Sequence, residues 1–392
     1  AMAPAFNDTL IAHFLDTGRN PSYYDAIISG DLGHIGKEIA IDLAKSQGYN
    51  IKSNYNDCGV LIFDKNAQDT HSGGSGCACC GTVFSGYFFK QLKDRKILQQ
   101  CASGGAFYGI AKIVLEQNGN VFGVKNQGTQ LVYQRVSSIK NLKELVGSKY
   151  YQCSINKEGY DEIAESTQNN LTLVSGTPCM VAAIQNMRNI NRNNLITFEI
   201  LCQGVPSELV IKRFYEEKAK KKGTLIKSHS FRSKDRYVGK NYLNRYEYED
   251  GTVEYLVGEE DPLSLSFQRQ IFLRESCYRC KYANTKRSAD FTAGDLWEIE
   301  STEIEKKRGC SILVCNTLKA QQLMEDSSAL IKKKIDVETS LMNNIPYHHP
   351  VKRPRCRKWS YKLLLSRLSP TMVTKICCWK YYIKHILIGK RK

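Results

Sequence analysis

Four cysteines stand where their thiolates could be gathered around one metal centre. Cys277-Tyr278-Arg279-Cys280 is a CxxC pair, and its two-residue spacer lets both sulfurs face the same centre, as in zinc and iron–sulfur sites. Cys179 ends the stretch Ser175-Gly176-Thr177-Pro178-Cys179, which joins a strand to a helix and puts the thiol at a helix N-terminus. There the unpaired backbone N–H groups and the helix dipole favour negative charge and lower a thiol's pKa. Leu201-Cys202-Gln203-Gly204-Val205-Pro206-Ser207 repeats the arrangement one unit later, with Ser207 as N-cap. Both cysteines fall at the carboxyl ends of strands, the edge of an open parallel sheet where ligands bind. Together Cys179, Cys202, Cys277 and Cys280 would complete the thiolate set of a cubane cluster. Taken alone, the CxxC pair suits a redox dithiol or a zinc clip as well. A lone Cys179 or Cys202 is more often a buried structural cysteine.

The elements that must position these residues are readable from periodicity. Helix from Ser103 to Gln117, strand at Val121–Val124, strand at Leu171–Val174, helix from Met180 to Arg188, strand at Leu195–Leu201 and helix from Glu208 to Lys222 alternate in order, which predicts a mainly parallel sheet. Residues 228–257 read instead as antiparallel strands, with Tyr246, Tyr248 and Val253 alternating and a turn at Asp250-Gly251. Before residue 97 the chain is α/β as well. A strand at Tyr24–Ser29 precedes the turn Gly30-Asp31-Leu32-Gly33, and a helix runs from Ile35 to Lys45. Val60–Phe63 reads as a second strand, and Ser72-Gly73-Gly74-Ser75-Gly76 opens a helix reaching Leu92. Arg95–Leu98 reads as the start of a strand.

Composition narrows the class. Apolar content of 42% and charged content of 24% describe a globular protein, and 392 residues hold two ordinary domains. No signal peptide is expected at the N-terminus. The late apolar stretch Ile376–Ile388 carries Lys380, Lys384 and His385 and is too short and charged to span a bilayer. The expectation is a cytoplasmic protein whose fifteen cysteines stay reduced. The net charge of +17 is uneven: residues 1–96 hold 9 basic and 10 acidic side chains, the remainder 47 basic and 29 acidic. From Lys352 to the end there are 13 Lys or Arg and no acid. Such a tail suits an anionic partner, whether an acidic protein, a phosphate-bearing ligand or a membrane surface touched peripherally. No nucleic-acid-binding motif accompanies it, and a solvated, partly helical tail is the plain reading.

From Cys101 to Trp359 the chain resembles the bacterial branch of the coenzyme F420 hydrogenase/dehydrogenase beta-subunit family. Seven stretches carry the resemblance in the family's order. They are Ser103-Gly104-Gly105, Gly147-Ser148-Lys149-Tyr150, Gly176–Cys179, Cys202–Ser207, Phe231-Arg232-Ser233-Lys234, Arg274–Tyr282 and Ala289–Trp297. The resemblance implies a flavin-binding, iron–sulfur electron-transfer module, with the four cysteines as ligands of a [4Fe–4S] cluster and FAD or another flavin beside it. Ser103-Gly104-Gly105 would hold the flavin pyrophosphate, although a bare Gly-Gly turn is usually only a turn. Lys149, Arg232 and Lys234 would pair with phosphates or an acidic carrier; as single cations they default to solvated surface. Asp295 would orient a ring or cap a helix. The implied donor is an acidic protein such as ferredoxin, matching the excess of cations after residue 96, with coenzyme F420 itself as the second choice. The chain departs from the family at Gln203, Met180 and Glu298, and lacks the usual leading ferredoxin-like segment.

Residues 1–96 resemble a different family, the stage V sporulation protein AD group, with its thiolase-like fold. The carrying stretches are Ala1–Ala5, Tyr24–Gly33, Asp57-Cys58-Gly59 and Gln68–Cys77. The match covers only the later part of that fold, so His71 and Cys77, catalytic in appearance, are expected to be relics, and an apolar sheet face is expected to be uncovered. The junction at Lys96–Cys101 has no Gly/Ser/Pro linker and interrupts both patterns, as in a joining of two unrelated pieces. The expected fold class is therefore α/β: a partial thiolase-like segment (1–96), an α+β/α/β domain with a mixed, mainly parallel sheet (101–350) and a basic C-terminal tail (351–392). The leading function is an iron–sulfur flavoprotein-type oxidoreductase. The alternatives are a sporulation protein that binds dipicolinate, and a zinc-stabilised module of polysaccharide or cell-envelope biosynthesis.

Overall fold

The computed structural model describes residues 2–24, 26–75, 77–83, 96–235, 243–296, 309–325, 330, 335–381 and 383. The chain divides into two compact units, Ala1–Lys96 and Ile97–Lys392.

In the first unit, helices Met2–Thr17 and Gly33–Ser46 flank two short parallel strands, β1 (Ile27–Ser29) and β2 (Tyr55–Asp57). Phe14, Ile27, Ala40, Ala44, Ile51 and Tyr55 form its core. The strand expected at Val60–Phe63 is instead the tail of a helix, Cys58–Ile62. The reason is Asp57. Its fully buried carboxylate accepts from Gly59 N at 3.0 Å and Val60 N at 3.2 Å, capping that helix. The same carboxylate takes Leu32 N at 2.8 Å and Gly33 N at 3.1 Å from the opening of helix Gly33–Ser46, and the Ser29 hydroxyl at 2.5 Å. Two helix starts and a strand thus converge on one side chain. Beside it, a Cβ at Gly59 would overlap the Asp31 carboxylate, which would have to turn away to admit one. A helix at Cys77–Val83 follows the Gly-rich stretch; its expected continuation to Leu92 lies outside the described residues.

The second unit is built on a six-stranded mixed sheet. Its strands are β3 (Asn120–Gln127), β4 (Gln130–Val136), β5 (Thr172–Gly176), β6 (Leu195–Ile200), β10 (Phe291–Asp295) and β11 (Ser311–Cys315), in spatial order β11-β10-β6-β5-β3-β4. β10, β6, β5 and β3 are mutually parallel, and an antiparallel strand closes each edge. This mainly parallel sheet is the α/β class expected from the strand–helix alternation. A separate antiparallel ribbon follows, β7 (Ile226–Ser230), β8 (Leu243–Tyr248) and β9 (Val253–Val257). Residues 96–100 are helical rather than the beginning of a strand, and Arg95 lies outside the described residues.

The basic C-terminal segment is not a solvated tail over its described length. It forms helices Arg357–Leu365 and Pro370–Cys377, and Leu364, Val373 and Cys378 join the buried cluster of Phe214, Tyr246, Tyr248 and Phe272. Arg213 fastens the turn between the helices by donating to the Leu364 and Leu368 carbonyls. Charge on the outer faces concealed an ordinary amphipathic pattern.

Replacing Asp57 by Ala leaves four buried or half-buried backbone N–H groups without their acceptor, and each such loss costs about 1–3 kcal/mol. Hydrogen exchange on the full-length chain is expected to accelerate across residues 27–62 and stay unchanged in 106–230. Unchanged exchange in 27–62 would contradict the central place given to Asp57.

Candidate functional site

Parallel register brings the cysteines together. β5 and β6 pair with Gly176 opposite Glu199, so both strands leave the sheet at the same edge. Cys179 follows three residues after β5, on the first turn of helix Pro178–Gln185, with Pro178 at its first position and the Thr177 hydroxyl 3.3 Å from its Sγ. Cys202 follows two residues after β6. The next loop is tied to the CxxC segment by an isolated antiparallel bridge, Pro206 to Leu273, with Ser207 N donating to Phe272 O and Arg274 N to Val205 O. Cys277 and Cys280 then sit on and just after a 3-10 turn, Glu275–Arg279. Cys179, Cys202, Cys277 and Cys280 line one recess of about 40 Å³.

The backbone around this recess is shaped for sulfur. Gly204 N donates to Cys202 Sγ at 3.3 Å, and the Val205 N–H faces the Cys277 thiol. Gly204 has φ +118°, and a Cβ there would lie 2.9 Å from the Cys277 Cβ, so this close approach needs glycine. Burial pushes the Cys202 thiol up to about 12, against the lowering expected at the strand end, and the three neighbouring cysteines add to the rise. Cys277 is raised for the same first reason. Thiols so placed become thiolates only when a cation compensates them. Among the described residues no group of three or more His, Cys, Asp or Glu side chains is placed so that it could hold a metal ion, the four cysteines included. Four cysteines line the one recess, two of them met by backbone N–H groups, and in donor type they are what an iron–sulfur cluster would take.

A buried ion pair holds the CxxC loop to the sheet. Arg287 and Glu199 are 3% and 2% exposed, with Nη1 3.2 Å from Oε1. The same Glu199 oxygen accepts from the Thr292 hydroxyl on β10. Arg287 also donates to the Tyr282 and Pro346 carbonyls, while its Nε has no partner among the described residues. Burial raises the Glu199 carboxyl, and Arg287 opposes that rise. The pair escaped the sequence reading, although an acid inside the apolar run of β6 was a signal that a cation must be waiting.

Beside the recess lies a cleft of about 570 Å³, within the range of cofactor sites. The two spaces share the loop Cys202–Val205, with Gln152, Thr177 and Pro346. Of the residues singled out from sequence, Ser103, Gly105, Lys149, Arg232 and Asp295 line the cleft, whereas Gly104 and Lys234 do not. Arg232 and Asp295 form an ion pair at 2.6 Å, with Asp295 ending β10; whether a helix follows lies outside the described residues. Ser103 Oγ donates to Cys310 O and Gly104 N to Ser311 Oγ, so the turn spends these donors on its own support. Gly105, at φ +80°, starts helix Ala106–Glu116, whose first turn lines the cleft.

Neither lysine is solvated surface. Lys149 donates to the carbonyls of Leu145 and Val146, and burial lowers it to about 7, opposed by Cys101 and Cys153. Lys234 donates to Leu98 O and Ser103 O and is lowered to about 8 by burial. An aromatic wall went unassigned in the sequence: Tyr150 stacks on Phe267 at 4.7 Å and meets Phe231 edge-on at 5.2 Å, and all three line the cleft. In the first unit, the His71 ring lies with Nδ1 3.0 Å from the Asp69 carboxylate and Nε2 3.2 Å from Lys65 O, and its N–H donates to one of them.

Replacing Arg287 by Met leaves Glu199 buried and unpaired, a loss of about 3–5 kcal/mol. The melting temperature of the second unit is expected to fall, and Glu199→Gln added to Arg287→Met is expected to recover part of it. A double variant no more stable than the single one would deny the pair its role.

Comparison with known proteins yields two separate matches. Residues 170–340 match a family described as the C terminus of the coenzyme F420 hydrogenase/dehydrogenase beta subunit. Residues 1–123 match stage V sporulation protein AD. The stage V sporulation protein AD of Bacillus subtilis (strain 168) is 43% identical over 97 residues, 25% of this chain and 28% of that protein. The chain therefore spans little more than a quarter of that relative's length. Among solved structures, a chain of the F420-reducing [NiFe] hydrogenase complex from Methanosarcina barkeri, studied by xenon derivatization, aligns with 15% identity and a TM-score of 0.40, over 59% of this chain and 75% of that one. The protein thus carries a sporulation protein AD-like segment followed by a region that matches the C-terminal part of the coenzyme F420 hydrogenase/dehydrogenase beta-subunit family.

Proposed function

We propose that residues 97–392 are an oxidoreductase module that moves electrons between a [4Fe–4S] cluster held by Cys179, Cys202, Cys277 and Cys280 and a flavin, FAD in the first instance, held in the adjoining cleft. The observation that carries this reading is that the four-cysteine recess and the large cleft are separated by one loop, Cys202–Val205. The match of residues 170–340 to the beta-subunit family supports it. When bound, the cluster would exchange single electrons and the flavin would couple them to two-electron chemistry.

The chain's own contribution is positioning. Gly204 and Val205 offer N–H groups to two of the sulfurs, a contact that stabilises thiolate charge. Tyr150, backed by Phe267, offers a flat apolar face to a ring system. Arg232, held by Asp295, presents a cation at the carboxyl edge of the sheet. Lys149, lowered by burial to about 7, lets the cleft change charge near neutrality. An acidic carrier such as ferredoxin suits the cation excess after residue 96, with coenzyme F420 as second candidate, in the cytoplasm, where thiols remain reduced.

Protein purified without oxygen is expected to be brown, with iron and acid-labile sulfide near four each per chain, as the cluster formula requires. Cys280→Ser should bleach it, and Gly204→Ala should lower iron content by displacing Cys277. Colourless, iron-free protein after reconstitution with iron and sulfide would overturn the proposal, and one zinc per chain without sulfide would replace it with a structural site.

The likeness of the first part of the chain to a sporulation protein supports a second reading for the first unit, a non-catalytic segment that binds a small dicarboxylate such as dipicolinate. Calorimetry on the full chain should show saturable heat with dipicolinate; a flat titration removes this reading.

A further inference from the structure

Helix Pro370–Cys377 has two apolar sides. Pro370, Val373, Thr374 and, just past its end, Cys378 face the core. Met372, Ile376, Trp379 and Ile383 are 50%, 40%, 55% and 46% exposed. Their spacing of four, three and four residues repeats the α-helical period, and residues 379–381 and 383 are again helical after the break at Cys378. Within Pro370–Cys377 that period sets Met372 and Ile376 opposite Pro370, Val373 and Thr374, and Trp379 and Ile383 continue the exposed series past the break, so burial among the described residues does not account for it. Lys375 and Lys380, both exposed, fall on either side of the row. Leu365, 80% exposed at the end of the preceding helix, adds a further large apolar side chain to the same hairpin.

We propose that this hairpin docks the protein on an anionic lipid surface, with the row from Met372 to Ile383 entering the boundary between headgroups and acyl chains and the flanking lysines resting on lipid phosphates. Charge complementarity chooses the occupant. From Lys352 onward the chain has 13 Lys or Arg and no Asp or Glu, so a second copy of this face would be repelled. An acidic protein would satisfy the cations but gives no reason for four large apolar side chains to be held in a row between them. A lipid surface satisfies both, because tryptophan and long aliphatic chains favour the interface while lysine stems reach back to the headgroups. No described helix is long and apolar enough to cross a membrane, so the hairpin would lie along the surface.

The test is sedimentation of the full-length protein with vesicles of phosphatidylcholine alone and of equal parts phosphatidylcholine and phosphatidylglycerol. The protein is expected to pellet with the anionic vesicles only, to be released by high salt, and to show tryptophan emission quenched by lipids brominated in the acyl chain. Met372→Gln/Ile376→Gln, at exposed positions, is expected to weaken binding about tenfold with an unchanged melting temperature. Lys375→Gln/Lys380→Gln keeps the question open to experiment if the first variant misfolds, and is expected to weaken binding about fivefold per lysine. Equal pelleting with both vesicle types, absence of quenching, or wild-type binding by the folded apolar variant overturns the proposal. So does loss of ferredoxin binding in the variants with vesicle binding intact, which would assign the face to an acidic protein.

Discussion

The contact between Glu199 and Arg287 is the constraint on which the cysteine site depends. An acid in the middle of a buried strand is tolerable only if a cation meets it, and the cation comes from the loop that follows Cys280. Because Thr292 shares the same carboxylate oxygen, the pair also binds β6 to β10. Distant parts of the chain are thereby held against the carboxyl edge of the sheet, where Cys179 and Cys202 already stand by strand register. The backbone bridge from Pro206 to Leu273 closes the arrangement from the other side.

The recess and the cleft differ in how their polar groups are used. Around the cysteines two backbone N–H groups, of Gly204 and Val205, point at sulfur. Around the cleft the basic groups are already engaged: Lys149 and Lys234 on carbonyls, Arg232 on Asp295. Low dielectric makes each of these contacts stronger and makes an unmet charge expensive. The cleft is therefore stiff at its rim, with its aromatic wall and the first turn of helix Ala106–Glu116 left as the surfaces that a ligand would meet.

Much of this was readable beforehand where period and chemistry coincide. The alternation of strands and helices from Ala106 to Lys222 follows apolar spacing, and the ribbon through Tyr246 and Tyr248 follows period two. The run Val60–Phe63 misled because consecutive apolar residues have no period; a cap on the preceding residue decided for helix. β4 carries no clean period of two, since its apolar residues fall on both faces and only Val136 is buried, so no local pattern marks it as a strand. The basic segment after Lys352 misled because charge count says nothing about which face turns inward. Spacing and strand ends singled out the four cysteines but left other readings open until the family resemblance joined them, and the structure brings them to one recess; the ion pair and the aromatic wall depend on meetings between residues more than fifty positions apart, which no local pattern encodes.

Asp57 carries a consequence of another kind. When five donors from two segments converge on one carboxylate, none of the bonds can be surrendered cheaply while the others persist, because the acceptor itself would have to turn. Fraying from either helix start is thus suppressed, and that corner of the first unit opens as a single cooperative event or not at all.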